Sequence, residues 1–449
     1  MTTTTRRMFF AALFIAVSLG AVNAQEAPSQ FVPFNDFIWN TEAARFEDYF
    51  ARAESRAKDA SAFEEMRQHI LAMYEGVEVS HSYMLDSNHF DCVPIKQQPT
   101  IRILGLKNIA LAPPRSTLAN QPQKDSPTPE GPINLTSQLA AESQFDEFGN
   151  PIGCEEHTIP VFRITLEQLT RFPTLQQFFQ KIPDESGGAV EPGQTISPAV
   201  APSHKYSYMY QSVNNLGGNS SLNLWSPVVN TSLGEVFSLS QQWYVGGSGT
   251  TLPGQQTAEV GWQNYPALYG GQNSRLFIYW TADGYNKTGC YNLTCAGFVQ
   301  TNKSWTFGAG FPNYSSLGGA QYEFSAQYQL YQGNWWLFLG GTAIGYYPGS
   351  VYHGGQLTHY AQLIEFGTES VGTTVWPPEG SGQWSSKGFS YAAYQRNLFY
   401  INTSGTGVWD SLTAEQPSPK CYSISGPFYS SSSGWGIYFY EGGPGGNGC

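Results

Sequence analysis

Two short runs of this 449-residue chain place carboxylates where they could handle a proton. In 257–263 (TAEVGWQ) the residues alternate. Thr257, Glu259, Gly261 and Gln263 face one side of a strand, while Ala258, Val260 and Trp262 face the other. In 363–371 (LIEFGTESV), Glu365, Gly367 and Glu369 share one face, opposite Ile364 and Phe366. Two carboxylates across a groove can share one proton, because like charges close together resist joint ionisation. One then acts as general base on water and the other as general acid. That chemistry serves peptide and glycoside hydrolysis alike.

Other sites lack their residues. There is no G-x-S-x-G elbow, no H-E-x-x-H and no phosphate-binding Walker loop. Gly443, Gly445 and Gly448 match G-x-G-x-x-G, but no helical pattern follows to hold a phosphate. His353 and His359 are six apart and do not share a helix face. With His204 they are expected to be surface or hydrogen-bonded histidines, and no metal or cofactor is implied.

The elements that must position the carboxylates divide near residue 200. Residues 25–202 carry 24 acidic and 13 basic residues, and 203–449 carry only 10 and 7. The second part also holds 39 of the 48 glycines and 11 of the 12 tryptophans. A net charge of -12 argues against nucleic acid and anionic membranes as partners. Arg6 and Arg7 precede an apolar run ending in Val22-Asn23-Ala24, which reads as a signal peptide over 1–24. No later run is long and apolar enough for a membrane anchor, so an exported, secreted protein is expected. Six cysteines, none in C-x-x-C spacing, agree with an oxidising compartment. Eight N-x-S/T sequons, from Asn134 to Asn402, would lie on the surface if glycosylated.

In the first part, apolar residues recur at helical spacing over 41–76, with Ser61 and Glu64 as a capping box for the second helix. HTIPVFR (157–163) reads as a strand leading into a capped short helix at 165–171. Residues 183–202 have the Pro/Gly/Ser content of an exposed linker. Beyond it, 277–280, 322–331, 335–339, 363–366 and 437–440 are short aromatic or β-branched runs between Gly/Asn-rich turns. The pattern predicts a mainly β chain: an antiparallel β-sandwich over 203–449 after a smaller mixed α+β region over 25–182.

Several blocks together resemble the neprosin family of secreted glutamic peptidases. SHSYMLDSNHFDCVPIKQQP (80–99) and CEEHTIPVFRITLEQLTRF (154–172) are similar to its activation-peptide motifs. AEVGWQNYP, RLFIYWTADGYNKTGCYNLTCAGFVQTN (275–302), GNWWL with IGYYP, and FYEGGPG follow in family order, and TGCYNLTCAGFVQT within the second is the most specific. The resemblance implies a lectin-like sandwich, endopeptidase action at acid pH after release from a zymogen, and no cofactor or metal. Its partners would be a polypeptide substrate and the chain's own N-terminal activation region. The family's namesake favours cleavage after proline. The first catalytic glutamate falls on Glu259. The second, from a G-G-E motif, falls on Glu369, where Thr368 replaces the middle glycine; Glu365 is its rival. The resemblance also implies disulfides Cys290–Cys295 and Cys421–Cys449, leaving Cys92 and Cys154 to pair in the first region. Two other readings use the same residues: a non-catalytic module binding cell-wall carbohydrate on exposed aromatics, and a glycosidase.

Overall fold

A sequence this rich in tyrosine, tryptophan and glycine builds its core from aromatic strands and pivots them on tight turns. This computed structural model describes residues 30–114, 119, 122, 133–135, 145–181, 202–247, 254–431 and 434–449. The signal peptide expected at 1–24 and all of the 183–202 linker except Pro202 lie outside the described residues. Residues 31–449 pack as one unit.

The first region opens with α1 (Phe34–Ala43), α2 (Phe46–Phe50) and α3 (Ala60–Tyr74). The helical reading of 41–76 holds for α3 but not for its start. Asp59, not Ser61, is the cap: its backbone is extended and its carboxylate accepts from the Ala62 amide at 2.8 Å. A carboxylate caps as well as a hydroxyl, and it lies one residue before the helical backbone begins. The chain then runs through β1 (Ser82–Leu85), β2 (Asn88–Pro94), α4 (Pro99–Ile103), β3 (Ile133–Leu135) and β4 (Thr158–Phe162). Strands β1, β2 and β4 form a three-stranded antiparallel sheet. Inside it Asp91 pairs with Arg163 and accepts from Tyr74 and Ser82, which offsets the desolvation of two buried charges. The short helices α5 (Leu166–Leu169), with the Thr165–Gln168 capping box, and α6 (Leu175–Phe179), capped by Thr174, end the region.

The second region begins with β5 (Ser203–Asn223), β6 (Glu235–Gly246), β7 (Gln256–Asn264), α7 (Pro266–Tyr269), β8 (Arg275–Thr281), β9 (Cys290–Tyr291) and β10 (Val299–Gln300). Next come β11 (Gln321–Tyr331), β12 (Asn334–Leu339), β13 (Thr342–Pro348), β14 (Ala361–Gly372) and β15 (Val375–Trp376). The chain closes with β16 (Ala393–Asn402), β17 (Gly407–Trp409), β18 (Thr413–Glu415), β19 (Ser423–Ser430), β20 (Gly436–Gly442) and β21 (Gly446–Asn447).

One strand serves two sheets. The first half of β5 pairs with β14, and the front sheet continues β14–β6–β7–β8–β9. Its second half pairs with β11 on one side and β16 on the other, so the back sheet runs β10–β13–β12–β11–β5–β16–β20–β19. The corner falls at Gly217 (φ +124°), where a Cβ would stand 2.0 Å from the Tyr328 carbonyl oxygen. Only glycine fits there. All these pairings are antiparallel; β3 alone joins β11 in parallel.

The sheets are held face to face by alternate residues. Tyr244 of the front sheet packs on Tyr328 and Trp335 of the back, and Trp280 on Tyr347. Val260, Ile278, Ile364 and Phe366 are fully buried in the same layer, each worth roughly 1.5–3 kcal/mol. The expected mainly β sandwich is therefore present. Disulfides join Cys92–Cys154, Cys290–Cys295 and Cys421–Cys449. The surface reading of the sequons fails at two of them. Asn219 and Asn292 are buried, with their amides spent on the Asn397 carbonyl and on Ile278 and Tyr269.

Candidate active site

The outward face of the front sheet carries the residues picked from the sequence. On β6, Trp243 lies between Glu259 of β7 and Glu365 of β14, and Gln241 lies between Gly261 and Gly367. Leu239 lies between Gln263 and Glu369. A Cβ on Gly261 would stand 2.1 Å from the Ser240 carbonyl oxygen, and one on Gly367 2.4 Å from that of Ser207. Both positions must stay bare, so Gln241 fills the middle of that row, between Phe277 beyond Gly261 and Tyr208 beyond Gly367.

Register alone would put Glu365 level with Glu259. Side-chain direction decides otherwise. The Lys181 ammonium, on the segment just past α6, sits 2.7 Å from Glu259 Oε2 and 2.8 Å from Glu369 Oε2. All three side chains are at most 3 % exposed. The remaining oxygens have fixed partners. Glu259 Oε1 accepts from Thr257 Oγ1 at 2.8 Å and from the Tyr285 hydroxyl at 2.7 Å. Glu369 Oε1 meets His204 Nδ1 at 2.6 Å, and Gln241 Nε2 donates to Glu369 Oε2 at 3.3 Å. The pair thus turns one oxygen each toward a single point, and a cation occupies it.

Electrostatics follow the geometry. Burial pushes the Glu369 carboxyl up, but the Lys181 ammonium and then the His204 imidazole outweigh it and hold it well below the usual carboxylate range. Burial likewise opposes the charge on Lys181, and the two carboxylates overcome it. Among the described residues no cation forms an ion pair with Glu365. Burial, with some repulsion from Glu259, pushes its carboxyl up to about 7. The structure therefore joins Glu259 and Glu369 and leaves Glu365 beside them.

Residues 234–444 match the Neprosin family model. The chain carries a Neprosin domain. Solved structures similar to it include a scytalido-glutamic peptidase with a transition-state analog inhibitor, at 10% identity and a TM-score of 0.29. That match covers 53% of this chain and 98% of that one. A kappa-carrageenase from Zobellia galactanivorans is similar at 11% identity over 38% of this chain and 63% of its own, with a TM-score of 0.20.

Within the Neprosin domain, Thr368 in place of the motif's middle glycine has a structural role. Its side chain points away from the groove into the sandwich, where its hydroxyl donates to Glu379. Ser207 donates to the same oxygen, and Ser240 donates to Glu441 nearby. Burial pushes both acids up to about 8, so they are neutral hydroxyl-bonded groups beneath the strand that carries Glu369. A folded value above the unfolded one means stability is fully present below about pH 4.5 and is lost as pH rises towards about 8. Replacing Glu379 by glutamine should flatten that loss. Thermal melting of the variant should fall less between those limits than the parent's, by at least several degrees. Parallel curves for parent and variant would refute the buried neutral acid.

Of the pair's partners, Lys181, His204 and Gln241 lie outside the family-like blocks, and Tyr285 lies inside one with nothing in its spacing to mark it. Lys181 stands in FFQKIP, a lone cation among apolar residues after a capped helix, and that contrast was the available signal. Tyr285 sits in a glycine-bearing loop with φ +62°, and a loop tip gives no periodicity to read. His204 was expected to be a surface or hydrogen-bonded histidine; it is hydrogen-bonded, and to Glu369. His81, Cys92 and Glu155 lie close enough to resemble a metal site, but Cys92 is in a disulfide.

Proposed function

We propose that this chain is a secreted glutamic endopeptidase made as a latent precursor. The observation that carries the reading is the single nitrogen held between Glu259 Oε2 and Glu369 Oε2. A water at that point would touch both carboxylates. With one proton on the pair, the ionised carboxylate takes a proton from water as its oxygen attacks a peptide carbonyl. The protonated carboxyl gives its proton to the carbonyl oxygen, which yields a neutral tetrahedral diol. Proton return to the amide nitrogen then lets the C–N bond break, leaving an acid and an amine. The pair must hold one proton and lose the other, so the reaction belongs to acid pH.

Latency rests on the same nitrogen. Lys181 stands where the water would, and its segment is tied down around the groove. The Tyr279 hydroxyl donates to the Phe179 carbonyl at 3.1 Å, and Gln180 Nε2 donates to the Asn286 carbonyl at 2.6 Å. Residues 25–182 act in this reading as the activation region, and cleavage within 183–202 would free the groove. Pro192, Pro198 and Pro202 supply sites for an enzyme that cuts after proline.

The purified precursor, brought to about pH 3, below the ordinary carboxyl range, is expected to cut an unstructured protein substrate. Peptide mapping should find proline before the scissile bonds. A chain that leaves protein intact and cleaves a polysaccharide instead overturns the peptidase reading. Cuts without a proline preference remove only the post-proline part.

A further inference from the structure

The two glutamates are not equivalent, and the difference lies in what remains once Lys181 withdraws. Glu259 then keeps two neutral donors, Thr257 and Tyr285, on Oε1. Glu369 keeps the amide of Gln241 and the imidazole of His204. That imidazole is well anchored. It stacks on Tyr206 at 6.0 Å, meets Phe237 edge-on at 6.3 Å, and its side chain is 11 % exposed. An imidazole is ordinarily charged below about pH 6.5, so in acid His204 is the cation that stays on the pair. The other titratable groups facing Glu369 are Glu259 of β7, Tyr279 of β8, Tyr285 of the following loop and Tyr291 of β9. The tyrosines are neutral there. The neighbouring Lys205 instead lies over the Trp376 ring at 5.0 Å.

We infer that His204 is a positioning residue that keeps the negative charge of the pair on Glu369, making Glu369 the base and Glu259 the proton-carrying acid. The inference rests on the peptidase reading and adds a direction to it. A charge-assisted bond at 2.6 Å favours the ionised carboxylate of Glu369, and the neutral hydroxyl donors on Glu259 are weaker partners for a negative charge than an imidazolium is. His204 also lies two residues past Pro202, so processing that removed the start of β5 would take the cation with it.

The test is the pH dependence of kcat/KM for the acid-activated enzyme, compared with H204Q and H204K. Glutamine can still donate a hydrogen bond but carries no charge. The acid limb of H204Q should move up by about one pH unit, the lower end of the usual effect of a nearby opposite charge. The rate well below the limb should then fall about tenfold. H204K restores a cation and should return the limb towards the wild-type position. A wild-type limb in H204Q overturns the inference. So does an equal loss in both variants at every pH, which is what a merely structural histidine would give. Should H204Q fail to fold, H204N takes its place as the uncharged donor, with the same expected and overturning results. These outcomes separate from failure of the peptidase reading, which is read from the glutamate variants.

Discussion

Glu369→Gln is expected to lower kcat/KM for peptide cleavage by about a thousandfold, the middle of the range for losing a general acid or base, and Glu259→Gln to do the same. Glutamine keeps the shape of the side chain but can neither take the proton from water nor supply one to the carbonyl oxygen. Each carboxylate presents one oxygen to the Lys181 position and anchors the other on its own partners, so neither can do both jobs. The effects should not add: once one partner is gone the other has no water to share, and the double variant should resemble the singles. Activity of the parent should follow a bell in the acid range whose two limbs belong to the pair. Glu365→Gln is the control and should retain activity within several-fold, since Lys181 bonds Glu369 and not Glu365. Loss in Glu365→Gln with survival of Glu369→Gln would move the site by one pleat repeat. Survival of all three would end the peptidase reading.

Lys181→Ala is expected to break latency without any change in the Neprosin domain. In the precursor the ammonium neutralises two buried carboxylates, and taking one partner from a buried ion cluster typically costs about 3–5 kcal/mol. That cost falls on the closed form alone, because the open groove is wet. The sign of the pH effect follows from Glu369, whose carboxyl is held below its ordinary range. The ion pair supports closure fully above that range and loosens only as pH falls through the lowered value. The parent precursor should therefore need stronger acid than free carboxyl groups would suggest. Lys181→Ala should process itself at least tenfold faster at about pH 4–5, near the ordinary glutamate value. Lys181→Met separates charge from shape. It fills the space but leaves the same unpaired carboxylates, so it should open as the alanine variant does. A methionine precursor as latent as the parent would mean that the plug works by shape. Two variants with the parent's threshold and rate would remove Lys181 from the latency mechanism.

The alternation in TAEVGWQ and LIEFGTESV was enough to put Glu259 and Glu369 on one face each, because a strand turns successive side chains to opposite sides. The aromatic runs between glycine turns foretold the sandwich for a related reason: such side chains need a flat partner layer and leave few charges to solvate. Capping chemistry was less secure where two caps competed. Asp59 was passed over for Ser61 because both precede the same apolar pattern, and only the backbone conformation separates them.

By itself, then, the sequence determined the strand faces, the mainly β architecture and a pair of candidate carboxylates. The tertiary structure alone decided which carboxylates meet. Glu365 and Glu369 sit on the same face, and pairing register favours the former; side-chain direction brings the latter to Lys181. It also decided their surroundings. Lys181 comes from 78 residues before Glu259, and His204 from 165 residues before Glu369. Local pattern carries no information over such separations, because these contacts follow from how whole sheets pack and not from the period of any one strand.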